Sequence, residues 1–132
     1  MFKTLQVATA KRTQFIDVSS LVEQEISKSK IKQGLCILHV PHTTAAITIN
    51  ENADPSVRED ILRQLNILVP FDGNYSHGEG NSAAHIKASI LGCNLTLIIE
   101  QNRLALGTWQ GIFFCEFDGP RRRKLMLKML SY

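Results

Sequence analysis

Segments of strand-like composition dominate this chain, and helical patterns are inserted among them without alternating with them. Residues 2–9, 13–18, 35–40, 44–50, 95–100, 104–106, 111–117 and 122–130 are rich in apolar, β-branched or aromatic side chains. Helical periodicity or helix-start signals appear only after residue 19, at 54 and at 82. A doubly wound parallel sheet needs regular strand–helix alternation, so this order predicts an α+β fold. At 132 residues the chain fits one domain, spanning 1–132, large enough to bury a core without disulfide or metal staples.

Local signals sharpen that expectation. Residues 10–12, between the first two strand segments, suggest an opening hairpin. Ser20-Leu21-Val22-Glu23 has the form of a capping box. Leu21, Val22, Ile26 and Ile31 then mark a buried helical stripe, and Gly34 suits its C-terminal stop. Asp54-Pro55 is a second start, with Asp at the cap and Pro where its missing N–H costs nothing. Val57, Ile61, Leu62 and Leu65 continue that helix's apolar face. Residues 70–82, rich in Gly, Asn and Ser, form the longest loop, a length usually tied to function. Ser82 suits the cap of a third helix running through Leu91, with Gly92 ending it.

Composition mainly excludes. The net charge of +3 is too mild for an extended nucleic-acid footprint, and no aromatic stacking surface accompanies the basic run near the C-terminus. No stretch approaches the ~20 apolar residues a membrane-spanning helix needs. The N-terminal Met1-Phe2-Lys3-Thr4 lacks the apolar run of a signal peptide. Cys36, Cys93 and Cys115 are odd in number, unpaired in sequence and set in apolar surroundings, which predicts buried reduced thiols and a cytoplasmic location.

Four segments have the residue types of a functional site. His42, His77 and His85 each lie beside small or polar neighbours. Together they would supply the three protein ligands of a zinc-type centre with one open position, or the proton carriers of an acid–base site. His39 sits inside an apolar strand and reads as structural. Asn50-Glu51-Asn52-Ala53-Asp54 ends a strand just before a helix, a common ligand platform. Asp54 is needed there as a cap, which leaves Glu51 as the better functional candidate. Thr108-Trp109-Gln110 lies between two glycines and suggests a pocket wall. Strand alternation puts Arg121 and Arg123 on one side and Arg122 and Lys124 on the other. One of these pairs suits a phosphate, while a solvated edge is the blander role.

The run from His42 to Pro55 (His-Thr-Thr-Ala-Ala-Ile-Thr-Ile-Asn-Glu-Asn-Ala-Asp-Pro) resembles the YjbQ-like family. So do the segment from His77 to His85, Ala88 to Gly92, Leu104 to Ile112, Glu116, and Arg121 to Arg123. One departure is Asn102-Arg103-Leu104, where the family has Gly-Arg-Leu; Asn is the next best residue for a positive-φ turn. The resemblance implies two packed, mostly antiparallel sheets with two to three helices, assembled as a homotrimer. It also implies thiamine-phosphate synthase-like transferase activity, either native or secondary to another role. A hydroxymethylpyrimidine diphosphate would join a thiazole phosphate, releasing diphosphate.

On that reading the small phosphorylated substrate meets Asn50, Asn81, Trp109, Gln110, Arg121 and Arg123. Glu51, His77 and His85 act catalytically, and His42, His77 and His85 hold a divalent metal. The donor set raises a tension, because histidines favour Zn²⁺ or another transition metal whereas diphosphate chemistry usually enlists Mg²⁺. Two other readings compete: a metal-dependent hydrolase using the three histidines, with Glu51 or Glu79 as general base, and a non-catalytic trimer that binds small anions.

Overall fold

In the computed structural model, which describes Met1–Tyr132, eight strands and three helices follow in the order β1(Phe2–Ala8), β2(Gln14–Asp17), α1(Ser19–Ser29), β3(Gln33–His39), β4(Ala45–Glu51), α2(Pro55–Leu68), α3(Ser82–Leu91), β5(Asn94–Glu100), β6(Arg103–Leu104), β7(Gln110–Glu116) and β8(Arg122–Ser131). All strand pairs are antiparallel. They form a five-stranded sheet, β1-β8-β3-β5-β6, and a three-stranded sheet, β2-β7-β4. The α+β expectation, with three helices and antiparallel sheets, is met. No helix is long and apolar enough to cross a membrane.

The small sheet is the middle layer, and β7 shows why. A strand covered on both faces reads as a continuous apolar run, and Gly111 to Phe117 are all buried. Its Ile112 and Phe114 face the large sheet, packing with Leu38, Leu125, Leu127 and Met129 and with Val22 and Ile26 of α1. Its Phe113 and Cys115 face the other way, with Phe15, Phe117 and Ala84 and Ala88 of α3. Ile61, Leu62 and Leu65 of α2 lie over that second cluster. Lys87 of α3 is fully buried there. It donates to Asn66 Oδ1 at 2.6 Å, and its Nζ lies 4.6 Å from the Phe71 ring centroid, tying the start of the 70–81 loop to the helices.

Three local expectations are corrected. β1 and β2 do not form a hairpin: β1 pairs with β8 and β2 with β7, in different sheets. The chain crosses between sheets at residues 9–12, beside the equivalent crossing of 118–121, held by Thr9 N–H to Arg121 O and Gly119 N–H to Arg12 O. Burial on two separate sheets outweighs one marginal two-stranded ribbon. The capping box is also absent. Ser19 Oγ accepts from the Ile112 amide at 2.8 Å, Asp17 Oδ1 accepts from the Ser19 amide, and Glu23 accepts from the Leu104 amide. The helix starts at Ser19, which puts Ser20 inside its first turn, and the expected partner Glu23 is taken by β6.

Helix α1 ends not at Gly34 but at Lys30, in the left-handed region. Asn102, itself at φ 60°, donates to Ile26 O and Ile31 O at that end. Gly34 lies in β3, where an added Cβ would meet the Leu130 carbonyl. The Asp54-Pro55 start is as expected, with Asp54 Oδ1 accepting from the Ser56 amide at 2.9 Å. Cys36 and Cys115 are buried, while Cys93 is half-buried. Burial pushes the Cys36 thiol up to about 12 and raises Cys115 as well, which keeps both protonated.

Candidate active site

Strand parity positions the first component. Glu116 follows Ile112 and Phe114 on the inner face of β7, and Arg123 precedes Leu125 and Leu127 on the inner face of β8. The two side chains meet at the end of the inter-sheet core, 0% and 4% exposed. Arg123 Nε donates to both Glu116 oxygens at 2.9 and 3.1 Å, and Nη2 donates to Glu116 Oε2 and, at 2.8 Å, to Thr44 Oγ1. Thr9 Oγ1 donates to Glu116 Oε1 at 2.7 Å, and the Phe117 and Asp118 amides donate to Oε2. Burial alone would raise this carboxyl. The hydrogen bonds from Arg123, Thr9 and the Asp118 amide outweigh it and hold Glu116 below the usual carboxylate range. A buried ion pair needs this saturation to offset its desolvation.

Above the pair opens a polar cavity of about 690 Å³, within the usual range for small-ligand sites. The end of β3 and the turn after it bring His39, His42 and Thr43; the long loop brings His77, Glu79 and Asn81; α3 brings His85. The segment from β7 to β8 contributes Asp118, Arg121 and Arg123, and Cys93 lies on the wall. All three singled-out histidines therefore reach one cavity, from positions too distant in sequence for any short motif. A second cavity, carrying Tyr75 and Ile86, shares His77 and His85 with it.

Each group there has a defined commitment. His42 Nε2 accepts from the Lys124 amide at 2.9 Å. Burial, and then the positive Arg123, lower its pKa below the usual histidine value. His42 is thus neutral near pH 7 with its proton on Nδ1. Arg121 donates to Asp118 Oδ2 at 3.1 Å and to the Asp118 carbonyl at 2.8 Å. Asn81 Nδ2 also donates to Asp118 Oδ2, while Asn81 Oδ1 is buried without a partner. Arg123 Nη1 is the one nitrogen of that guanidinium with no partner in the chain. The cavity floor therefore offers an oriented cation, with its other nitrogens locked.

A transition-metal centre needs several lone pairs converging on one point. His42 has given its Nε2 lone pair to Lys124. His77 and His85 stand edge to face with ring centroids 5.6 Å apart, and His77 Nε2 is 4.0 Å from Glu79 Oε1. No three His, Cys, Asp or Glu side chains are grouped closely enough to hold one ion. In this arrangement the His42, His77 and His85 set does not fit a metal as a unit.

The remaining expected residues lie elsewhere. β4 pairs with β7 from Ala45↔Glu116 to Glu51↔Gln110. Asn50, Glu51, Trp109 and Gln110 thus sit at the opposite end of this ladder, roughly 20 Å from the cavity at ~3.3 Å per residue. Within one chain they do not join the histidines. Trp109 is 64% exposed, on a turn closed by Gln110 N–H to Gly107 O and by Gly107 N–H to Gln110 Oε1. His39 is the converse case: expected to be structural, it lines the cavity. Its signal was its position as the last strand residue before Val40-Pro41. Nothing in the sequence pattern marked Asp118 or Cys93 as cavity residues.

The chain is similar throughout its length to proteins without an assigned role. It is 54% identical over 126 residues to a UPF0047 protein of Methanocaldococcus jannaschii, covering 96% of this chain and 91% of that one. It is 50% identical over 132 residues to the UPF0047 protein YugU of Bacillus subtilis, covering 99% and 100%. The crystal structure of an uncharacterized conserved protein from Clostridium acetobutylicum superposes with a TM-score of 0.95 at 50% identity, over 97% and 99% of the two chains. A YbjQ-like protein of unknown function from Sulfolobus solfataricus also gives 0.95, at 35% identity over 100% and 97%. The family model described as UPF0047 protein YjbQ-like matches residues 3–132, and the chain accordingly belongs to the YjbQ-like UPF0047 family.

Proposed function

We propose that the cavity is an active site for a small phosphorylated substrate, with transferase chemistry of the thiamine-phosphate synthase type. The observation that carries this reading is the buried Arg123, held by Glu116 and Thr44 with Nη1 left free beside Arg121 and His42. An oriented guanidinium loses little freedom on meeting a phosphoryl oxygen, and Arg121 adds a second cation at the rim. His42 donates through Nδ1–H to charge that develops on a departing diphosphate. His77 and His85 stand as the proton carriers at the junction of the two cavities.

In the homotrimer that the resemblance implies, a neighbouring copy is the source of Glu51, Asn50, Trp109 and Gln110. The exposure of Asn50, Trp109 and Gln110 at the far end of the β4–β7 ladder, with Glu51 half-buried beside them, supports this assignment. The test mixes hydroxymethylpyrimidine diphosphate with thiazole phosphate and follows thiamine phosphate. Product formed by wild type, reduced at least tenfold in Arg121→Ala without loss of folding, is expected. No product and no binding of either compound would overturn the reading.

The clustering of His77, His85 and Glu79 favours one rival, a metal-dependent hydrolase, provided His42 turns away from Lys124. Near-stoichiometric zinc or another transition metal in untagged wild type, absent from His85→Ala, would place that rival first.

A further inference from the structure

We infer that the turn His77–Gly80 is a lid on the cavity, which a bound anion closes by drawing His77 inward and turning Glu79 outward. This rests on the reading of the cavity as an anion site. Both ends of the long loop are tied to the fold. The Phe71 ring meets two cations, its centroid 4.6 Å from Lys87 Nζ and 4.4 Å from Arg12 Cζ. Lys87 is itself fully buried and bonded to Asn66. Tyr75 folds back onto this anchor: its hydroxyl donates to the Pro70 carbonyl at 2.5 Å and its amide to the Gly73 carbonyl. Its ring fills the space where a Cβ on Gly73 would lie. At the other end, Asn81 Nδ2 donates to Asp118 Oδ2 at 2.9 Å.

Between these ties, residues 76–80 are all exposed. The turn closes on itself through Gly80 N–H to His77 O at 3.2 Å, and no hydrogen bond joins it to the rest of the fold. It meets the body through the His77 ring, edge to face with His85. A segment with solvent-exposed backbone and few tertiary contacts opens at little cost.

The two glycines of the turn differ. Gly80 sits at φ 77°, so the present turn requires it. Gly78 has a φ outside the left-handed region, and a Cβ there would meet nothing within 4 Å. Alanine would fit the present form at Gly78 as well as glycine does, so the freedom of that residue serves a second arrangement. Gly78 also separates two groups that respond oppositely to an anion, since an imidazole N–H donates to it and the Glu79 carboxylate repels it. His77 Nε2 and Glu79 Oε1 are 4.0 Å apart, too far for a hydrogen bond to hold them together. A pivot at Gly78 brings the imidazole onto an anion held by Arg121 and Arg123 while the carboxylate swings to solvent.

Inorganic phosphate and 15N-labelled full-length protein test this. Without phosphate, the amides of residues 77–80 are expected to show order parameters below about 0.6, against about 0.85 at Phe71 and Asn81, and saturating phosphate raises the turn to the rigid value. Gly78→Ala is expected to keep the wild-type melting temperature and to bind phosphate about fivefold more weakly, because apparent affinity scales with the population able to close.

Order parameters unchanged by saturating phosphate, or wild-type affinity in Gly78→Ala, overturn the lid and leave the anion site standing. No phosphate binding, or binding that survives in Arg121→Ala, overturns the anion site and the lid with it. Should Gly78→Ala melt lower than wild type, the wild-type order parameters decide.

Discussion

The two ends of the β4–β7 ladder carry similar residue types and are built in opposite ways. At one end, Glu116 is fully buried, and besides the adjacent Phe117 and Asp118 amides its hydrogen-bond network joins separate chain segments through Thr9, Thr44 and Arg123. At the other, Glu51 is the last residue of β4, opposite Gln110, and Trp109 sits on the adjoining turn, mostly exposed. The first end is rigid because it closes the gap between two sheets, so the cavity above it has a fixed floor. The second end projects from the fold, with the Trp109 ring mostly exposed. Charge, aromatic content and turn residues do not distinguish the two; burial does.

The sharpest way to break the comparison is Glu116→Gln. Removing one partner of a buried pair leaves Arg123 uncompensated and is expected to cost about 3–5 kcal/mol in denaturant unfolding; a cost below ~1 kcal/mol would mean that the pair is not the keystone. The same variant changes the acid limb. Glu116 has its carboxyl lowered by folding, so its contribution is full above about 4.5 and is lost as pH falls through the folded value. Melting curves of wild type should fall across that window, and those of Glu116→Gln should fall less.

Gly111→Ala probes the rigid part of the second end. An added Cβ would lie 2.7 Å from Cβ and Cγ of Asn52, whose amide N–H bonds the Trp109 carbonyl. Overpacking of this kind is expected to cost roughly 1–3 kcal/mol. No loss of stability would show that Asn52 yields and the turn is soft.

His42 offers a smaller effect. Its folded pKa is depressed, so its contribution to stability is complete above 6.5 and declines as pH falls through the folded value. NMR titration should give a midpoint below 6.5 with the proton on Nδ1; an elevated midpoint would place an uncompensated carboxylate beside it. The smallest effect belongs to Trp109→Ala, expected within about 0.5 kcal/mol for the isolated chain because the ring contributes little to its core. Loss of assembly in sedimentation, with unchanged chain stability, would identify Trp109 as an intersubunit anchor. A large loss in a monomeric protein would instead deny that the ring projects outward.

Much of the fold was legible in the chain. The apolar run from Gly111 to Phe117 marks the strand β7, and Asp54-Pro55 marks the start of α2. These signals are local, because helix caps and strand burial leave their mark within a few residues. The failures were also local: the opening hairpin and the Ser20 box were sound neighbour-to-neighbour patterns, overridden when β1 and β2 joined different sheets, α1 began at Ser19 and the Leu104 amide claimed Glu23. At the site, His42, His77 and His85 were recognisable from their settings. The separation of Glu51 and Trp109 from them was not, since the distance along a ladder depends on register.

By itself, then, the sequence determined the α+β class, most strand and helix positions and the histidines worth attention, because side-chain type and period act over short range. Tertiary structure decided the rest. Pairing β1 with β8 and β2 with β7 placed Arg123 on Glu116, and β3 against β5 placed His39 on Asn94. Those register choices are settled by burial summed over whole sheets, which no short stretch of sequence records.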